Sequence, residues 1–324
     1  MNRILVTGCA GYIGSVLTRL LLNDGYQVVG LDSLKFGGAA LVDIYNHPSF
    51  TFVRGDIRDI EGFRSILKTY QIDGVVNLAA IVGDPACRKF EQEATEVNLE
   101  TPKTLFDICN DAAVQRFVFA STCSNYGKME GDGFVKEDSP LNPVSHYAKT
   151  KVAFEQFLLD KTNGVTAPII LRFSTVYGLS PRIRFDLTVN EFTRDLSLGK
   201  ELDIFGPQFW RPYCHVNDLA RSVMVALKAD EALVRGEVYN VGDSTENYQK
   251  QMIIDEIAKV VPNTKIKYTP QIDDPRDYRV NFDKIQTKLG FSITKKVIDG
   301  VEEIHRFIQD GIIADPYDAA YRNV

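Results

Sequence analysis

"ILVTGCAGYIGSVLTRLLLND", residues 4–24, opens with a short apolar run, turns on glycines and continues as an amphipathic pattern. Arg3–Thr7 reads as a buried strand, and the apolar residues after Gly14 recur at helical spacing. Between them Gly8, Gly11 and Gly14 form a GxxGxxG turn, with Tyr12 and Ile13 inside it. Backbone without Cβ atoms can approach a pyrophosphate, whose charge is favoured at a helix N-terminus. The next apolar run, "QVVGLD", ends in Asp32. A carboxylate at that distance can accept a hydrogen bond from a ribose 2'-hydroxyl. It would repel a 2'-phosphate, so the expected cofactor is NAD rather than NADP. Three glycines and one acid could also be a plain turn and a surface side chain. Strand, turn, helix and acid in this order favour dinucleotide binding.

The same alternation continues through the first half. Gln27–Leu31, Thr51–Arg54, Gly74–Asn77, Arg116–Ala120 and Ile169–Phe173 read as strands separated by helical patterns. This predicts βαβ units and a doubly wound parallel α/β sheet of Rossmann type. Asp56 and Ile57 follow the third strand, and Ala79 and Ala80 the fourth, where such sheets bind ligands. Asp56 could equally cap the next helix. After residue 178 the rhythm changes, and a smaller C-terminal α/β lobe is expected over 179–324. The NAD-binding domain is then 1–178 with returning segments. Helices are expected after "SPRIRFD", over "NDLARSVMVALKAD" with Asn217 or Asp218 as cap, and near 247–261 and 297–311.

A net charge of -6 disfavours nucleic acid as partner. Five scattered cysteines without a CxxC pair fit reduced thiols and no zinc site. No apolar stretch approaches the length of a membrane span, so a cytoplasmic protein is expected.

"SHYAKTKVAFEQFLL" begins a helix in which Tyr147 and Lys151 share a face. An ammonium beside a phenol, with an oxidised nicotinamide nearby, favours the phenolate. Lowering the pKa by about 3 units takes roughly 4 kcal/mol of differential interaction. Alone, tyrosine and lysine at this spacing are common on solvated helices.

Taken with "NLAA", "STCSNYG", "LRFSTVYG" and "RPYCHVNDLA", these motifs resemble the extended short-chain dehydrogenase/reductase superfamily. Within it the chain is similar to the NAD-dependent nucleotide-sugar epimerase/dehydratase family over nearly its whole length. The resemblance implies a nucleotide-diphospho-sugar substrate and a homodimer paired through helices near 95–112 and 147–160. It implies Tyr147 as base, Lys151 as its tuner, and Thr122 as the hydroxyl that orients the sugar while C4 is oxidised. The family's 4,6-dehydratases carry an Asp-Glu pair after that threonine; Cys123 and Ser124 stand here instead. An epimerase is therefore expected, with a 4-dehydrogenase or 4,6-dehydratase as alternative and a non-catalytic dinucleotide sensor as remote one. Cys123 could move protons beside a ketone or simply fill space.

For the substrate the resemblance points to Arg211 and Arg276 on the diphosphate and Asp84 on the sugar. Thr175 replaces an asparagine usual in relatives. Arg182, Arg184 and Asn190 are further candidates, each with a bland reading as a solvated or structural side chain. Phe209 and Trp210 could stack on a base or fill the lobe.

Overall fold

The computed structural model describes residues 2–129, 131, 133–269 and 276–323. In chain order its strands are β1 (Arg3–Thr7), β2 (Gln27–Asp32), β3 (Phe50–Arg54), β4 (Gly74–Asn77), β5 (Arg116–Thr122) and β6 (Ala167–Phe173). There follow β7 (Thr175–Tyr177), β8 (Glu201–Phe205), β9 (Trp210–His215), β10 (Glu237–Val241), β11 (Asn247–Gln249) and β12 (Lys265–Thr269). Seven form one parallel sheet in the order β10-β6-β5-β4-β1-β2-β3. The strand order reverses between β1 and β4, which creates a crevice at their carboxyl ends.

Both faces of the sheet are covered, so its strands are near-continuous apolar runs. β6 is buried along its whole length. Helices Tyr12–Asn23 and Val216–Lys228 pack together over one face, around Leu17, Leu21, Leu219 and Val223. Helices Ile60–Tyr70, Thr101–Asp111 and His146–Leu159 cover the other, around Phe63, Phe106 and Phe154. Phe154 stands edge-on to Phe119 at 4.6 Å between ring centres.

The smaller lobe holds the sheet β11-β9-β7 and the pair β12-β8. Helices Thr188–Ser197, Lys250–Val260 and Val297–Gln309 close around Val189, Ile253 and Val301. The chain leaves the large sheet after β6, builds part of this lobe, and returns with Val216–Lys228 and β10. No helix among the described residues is long and apolar enough to cross a membrane.

One expected cap is corrected. The helix Val216–Lys228 is capped by His215, whose Nδ1 accepts the Asn217 N–H at 3.1 Å. Asp218 is committed elsewhere, accepting the N–H groups of Thr294 and Lys295 at 2.9 and 3.0 Å.

Candidate active site

The crevice between β1 and β4 is the bottom of a long cavity. At Gly8 φ is +75°, and a Cβ there would lie 2.9 Å from the Ala79 nitrogen. A Cβ on Gly14 would lie 2.0 Å from the Gly8 carbonyl oxygen. Side chains at either place would break the turn, so the glycines are a steric requirement. The result is bare backbone at the N-terminus of helix Tyr12–Asn23, suited to an anion.

Asp32 closes one end of the cavity. Its carboxylate accepts the Ala10 N–H at 3.0 Å and the Leu34 N–H at 2.8 Å, fixing the glycine turn against β2. Asp56 and Ile57 lie beside it. Arg58 holds the Asp56 carboxyl below its ordinary range through a 2.7 Å ion pair. Asp56 does not cap the next helix; Asp59 does, accepting the Gly62 N–H at 3.0 Å. Ala79 and Ala80 continue the wall. Behind them Asn98 holds Ile81 by both backbone polar groups, at 2.9 and 2.8 Å. Asn98 sits in a π-helical turn, Glu96–Glu100, just before Pro102, whose missing N–H removes a regular helical bond.

At the far end stand Thr122, Tyr147 and Lys151. Ser145 caps their helix by accepting the Ala148 N–H at 3.2 Å, which sets Tyr147 in the first turn. Lys151 is buried and donates to the Ala120 carbonyl at 2.9 Å, and its Nζ lies 5.7 Å from the Tyr147 ring centre. Burial pushes the Lys151 ammonium down to about 8. Burial pushes the Tyr147 phenol up, and the neighbouring Cys87 and Asp84 reinforce this. Without ligands, then, the protein alone does not produce the expected phenolate. Thr122 Oγ1 accepts the Ser124 N–H at 3.1 Å, which leaves its hydrogen to donate.

The polar residues after Phe119 separate into two kinds. Thr122 faces the cavity, whereas Asn125 turns inward to a buried ion pair between Glu155 and Arg172, 2.7 Å apart. Ser121 donates to Glu155 Oε1, and Asn125 donates to the same oxygen at 2.9 Å. Tyr126 donates to Asn240 at 2.7 Å. This network locks the end of β5 to the helix carrying Tyr147 and Lys151. Cys123 is 1% exposed, donates to the Arg172 carbonyl at 3.3 Å, and has its thiol pushed up by burial. The expectation of a proton-moving thiol is therefore corrected: Cys123 is core. Ser124 faces the Tyr278 hydroxyl at 3.5 Å.

The other substrate candidates divide similarly. Arg182 and Arg184 line the cavity. Arg184 pairs with Asp186 through two 2.8 Å contacts. Asn190, expected at the nucleotide, is 1% exposed and bound to Gly178 N at 2.9 Å and Arg184 O at 2.8 Å. It is a structural clamp, and that expectation is corrected. Thr175 lies in β7, paired with Tyr213 of β9, and is not on the cavity wall. Asp84 and Arg276 form a 2.8 Å ion pair across the two parts of the molecule. The Arg211 guanidinium lies 5.3 Å from the Tyr278 ring centre. Phe209 is buried in the lobe. Asn323, on the cavity wall, escaped the sequence reading and carries no motif.

A glycine cradle, an acid at the end of the second strand and a buried lysine beside a tyrosine define a Rossmann-type dinucleotide enzyme. The sequence pattern of the NAD dependent epimerase/dehydratase family matches residues 4–242. The chain is 31% identical to the UDP-glucose 4-epimerase of Lactobacillus helveticus over 322 residues, covering 92% of this chain and 94% of that protein. It is 29% identical to the dTDP-glucose 4,6-dehydratase of Streptomyces niveus, covering 95% and 93%. The solved UDP-glucuronic acid 4-epimerase from Bacillus cereus, in complex with UDP-glucuronic acid and NAD, superposes with a TM-score of 0.84 at 29% identity. That match covers 95% of this chain and 99% of the other. The chain belongs to the NAD dependent epimerase/dehydratase family, within the extended short-chain dehydrogenases/reductases, and is an enzyme that uses NAD.

Proposed function

We propose that this enzyme epimerises C4 of a nucleotide-diphospho-sugar through a transient 4-keto intermediate. The observation that carries the reading is the wall at the end of β5. Thr122, Tyr147 and Lys151 meet there, while the two following positions offer no carboxylic acid. Loss of water from the sugar needs an acid and a base beside C5 and C6. Cys123 is buried in the core, and Asp84, the carboxylate nearest in influence to Tyr147, is paired with Arg276.

Tyr147 takes the proton of the C4 hydroxyl, and Thr122 donates to that oxygen and holds it in line. Lys151 supplies the positive charge that offsets burial of the phenolate. Bound NAD supplies the hydride acceptor at C4 and, on return, the donor. For an epimer to form, the keto-sugar turns within the site so that its opposite face is presented. Arg184, Arg211 and Arg276 are the diphosphate partners in this reading, with guanidinium geometry suited to phosphate. By analogy with the family, two copies pair through the helices Thr101–Asp111 and His146–Leu159.

The test incubates the NAD-loaded protein in deuterated water with a panel of UDP-, dTDP-, GDP- and CDP-sugars and weighs the products. An isomer of unchanged mass is expected. A product lighter by one water would make the enzyme a dehydratase, and accumulating NADH a dehydrogenase. An isomer carrying solvent deuterium would place proton exchange beside the ketone and contradict C4 hydride return.

A further inference from the structure

Arg182 is 7% exposed, and its Nε is buried without a hydrogen-bond partner. The same guanidinium lies 4.4 Å from the centre of the Phe36 ring, four residues beyond Asp32. Its backbone N–H is received by the Ser180 hydroxyl at 3.3 Å. Ser180 donates in turn to the Tyr12 carbonyl at 2.7 Å and contacts the Ser15 hydroxyl at 3.1 Å. Arg182 is thereby held between Phe36, just past the end of β2, and the first turn of the helix behind the glycine cradle. The N-terminus of that helix is where a dinucleotide's pyrophosphate is expected to sit. The neighbouring Arg184 already has a carboxylate partner in Asp186, so the nearest acid is spent on the other arginine. A buried cation without an anion is costly. Together with burial, Arg184 holds the Arg182 guanidinium down to about 10, which relief by an anion would reverse.

A second observation concerns what backs this arginine. The short turn Ala319–Tyr321 and the two residues after it run across the 182–186 loop. Tyr321 accepts the Phe185 N–H at 2.9 Å through its carbonyl, and its ring stands edge-on to Phe185 at 5.8 Å. The Arg322 carbonyl accepts from Arg182 at 3.1 Å, and the Asn323 N–H donates to Asp186 at 3.0 Å. Asn323 itself reaches the cavity wall.

We propose that Arg182 is the cationic clamp on the cofactor's pyrophosphate, and that the strap 319–323 holds it there and slows cofactor release. This rests on the NAD site and not on the epimerase outcome. It moves Arg182, one of the further substrate candidates of the sequence, to the cofactor. A clamp of this kind suits a reaction in which the same dinucleotide must take and return a hydride without leaving.

The experiment measures binding, not turnover. Dissociation constants for ADP-ribose and adenosine are determined by calorimetry on the wild type, Arg182→Gln and Arg182→Lys. The release rate of NAD is followed by its displacement in Tyr321→Ala. Losing one charge-assisted contact to phosphate should weaken ADP-ribose about 10-fold to 100-fold in Arg182→Gln. Adenosine should change less than about twofold, Arg182→Lys should recover part of the loss, and Tyr321→Ala should release NAD several times faster. Binding of a uridine diphosphate probe to NAD-saturated protein should be unaffected. Unchanged ADP-ribose affinity with weakened uridine diphosphate would return Arg182 to the substrate site and overturn the proposal. An equal loss for adenosine would show that the variant damages the pocket rather than a phosphate contact, and would overturn it as well. Since no arm requires product formation, failure here is separable from failure of the epimerase reading.

Discussion

Tyr147 and Lys151 stand four residues apart on a helix of which only the first two turns meet the cavity, and burial works against both charges the chemistry needs. For the lysine the direction has a measurable consequence. Its folded value of about 8 lies below that of a free lysine, so between pH 8 and 10.5 the unfolded chain holds the extra proton. Stability therefore rises with pH across that window, and the contribution is lost as pH falls through about 8. Labelled-lysine carbon NMR of the ligand-free protein should show one lysine titrating near pH 8, absent in Lys151→Met, whose unfolding free energy should lack the same slope. Titration near 10.4 for every lysine would contradict the reading. Lys151→Met and Tyr147→Phe should each lower turnover at least about 100-fold, as expected for a base and its partner. This pair was legible because helical spacing is local. Cys123 and Asn190 were not. Their partners, the Arg172 carbonyl and Gly178 N, lie 49 and 12 residues away, and nothing in the sequence says that those groups need them.

Among the elements, the strands of the large sheet were legible because burial on both faces makes each an apolar run. The lobe's strands were harder. β9 carries Arg211 and Pro212, and β11, "NYQ", is only three residues long and mostly polar, so neither stands out from a loop. Capping by His215 also escaped, since histidine is an unusual cap. Its role now has a reason. Nδ1 accepts the Asn217 N–H, so Nε2 carries the hydrogen and donates to Glu303 at 2.7 Å. Burial would raise the Glu303 carboxyl, but His215, Lys295 and the Leu179 N–H hold it at about 2. The folded pKa is below the unfolded one, so this stabilisation is fully present above about pH 4.5 and is lost as pH falls toward 2. Glu303→Gln should cost about 1–3 kcal/mol at pH 7 and flatten the stability curve between pH 4.5 and 2, measured by urea unfolding. Parallel acid limbs in the two proteins would show that this tie between β9 and helix Val297–Gln309 is not what the carboxylate contributes.

For the whole molecule, the cavity is assembled from both ends of the chain: Gly8 and Asp32 from the first strands, Arg182 from the loop after β7, Asn323 from the last turn. The Asp84–Arg276 pair spans 192 residues of sequence. Periodicity and glycine spacing pointed to the strand-end half of this cavity, because a parallel sheet places its ligand at strand ends by topology alone. The substrate half depends on how loops from the lobe fold back over the sheet, a matter of tertiary packing that short-range patterns do not encode. The chemistry joins the two halves, and one measurement reaches it directly. A nucleotide sugar carrying deuterium at C4 is turned over by the NAD-loaded protein in ordinary water. Hydride removal and return at the same carbon predicts an epimer that keeps its deuterium at C4, with none found in water. Deuterium lost from C4, whether to released NADH or to solvent, or recovered at C6 of a product lighter by one water, would contradict it.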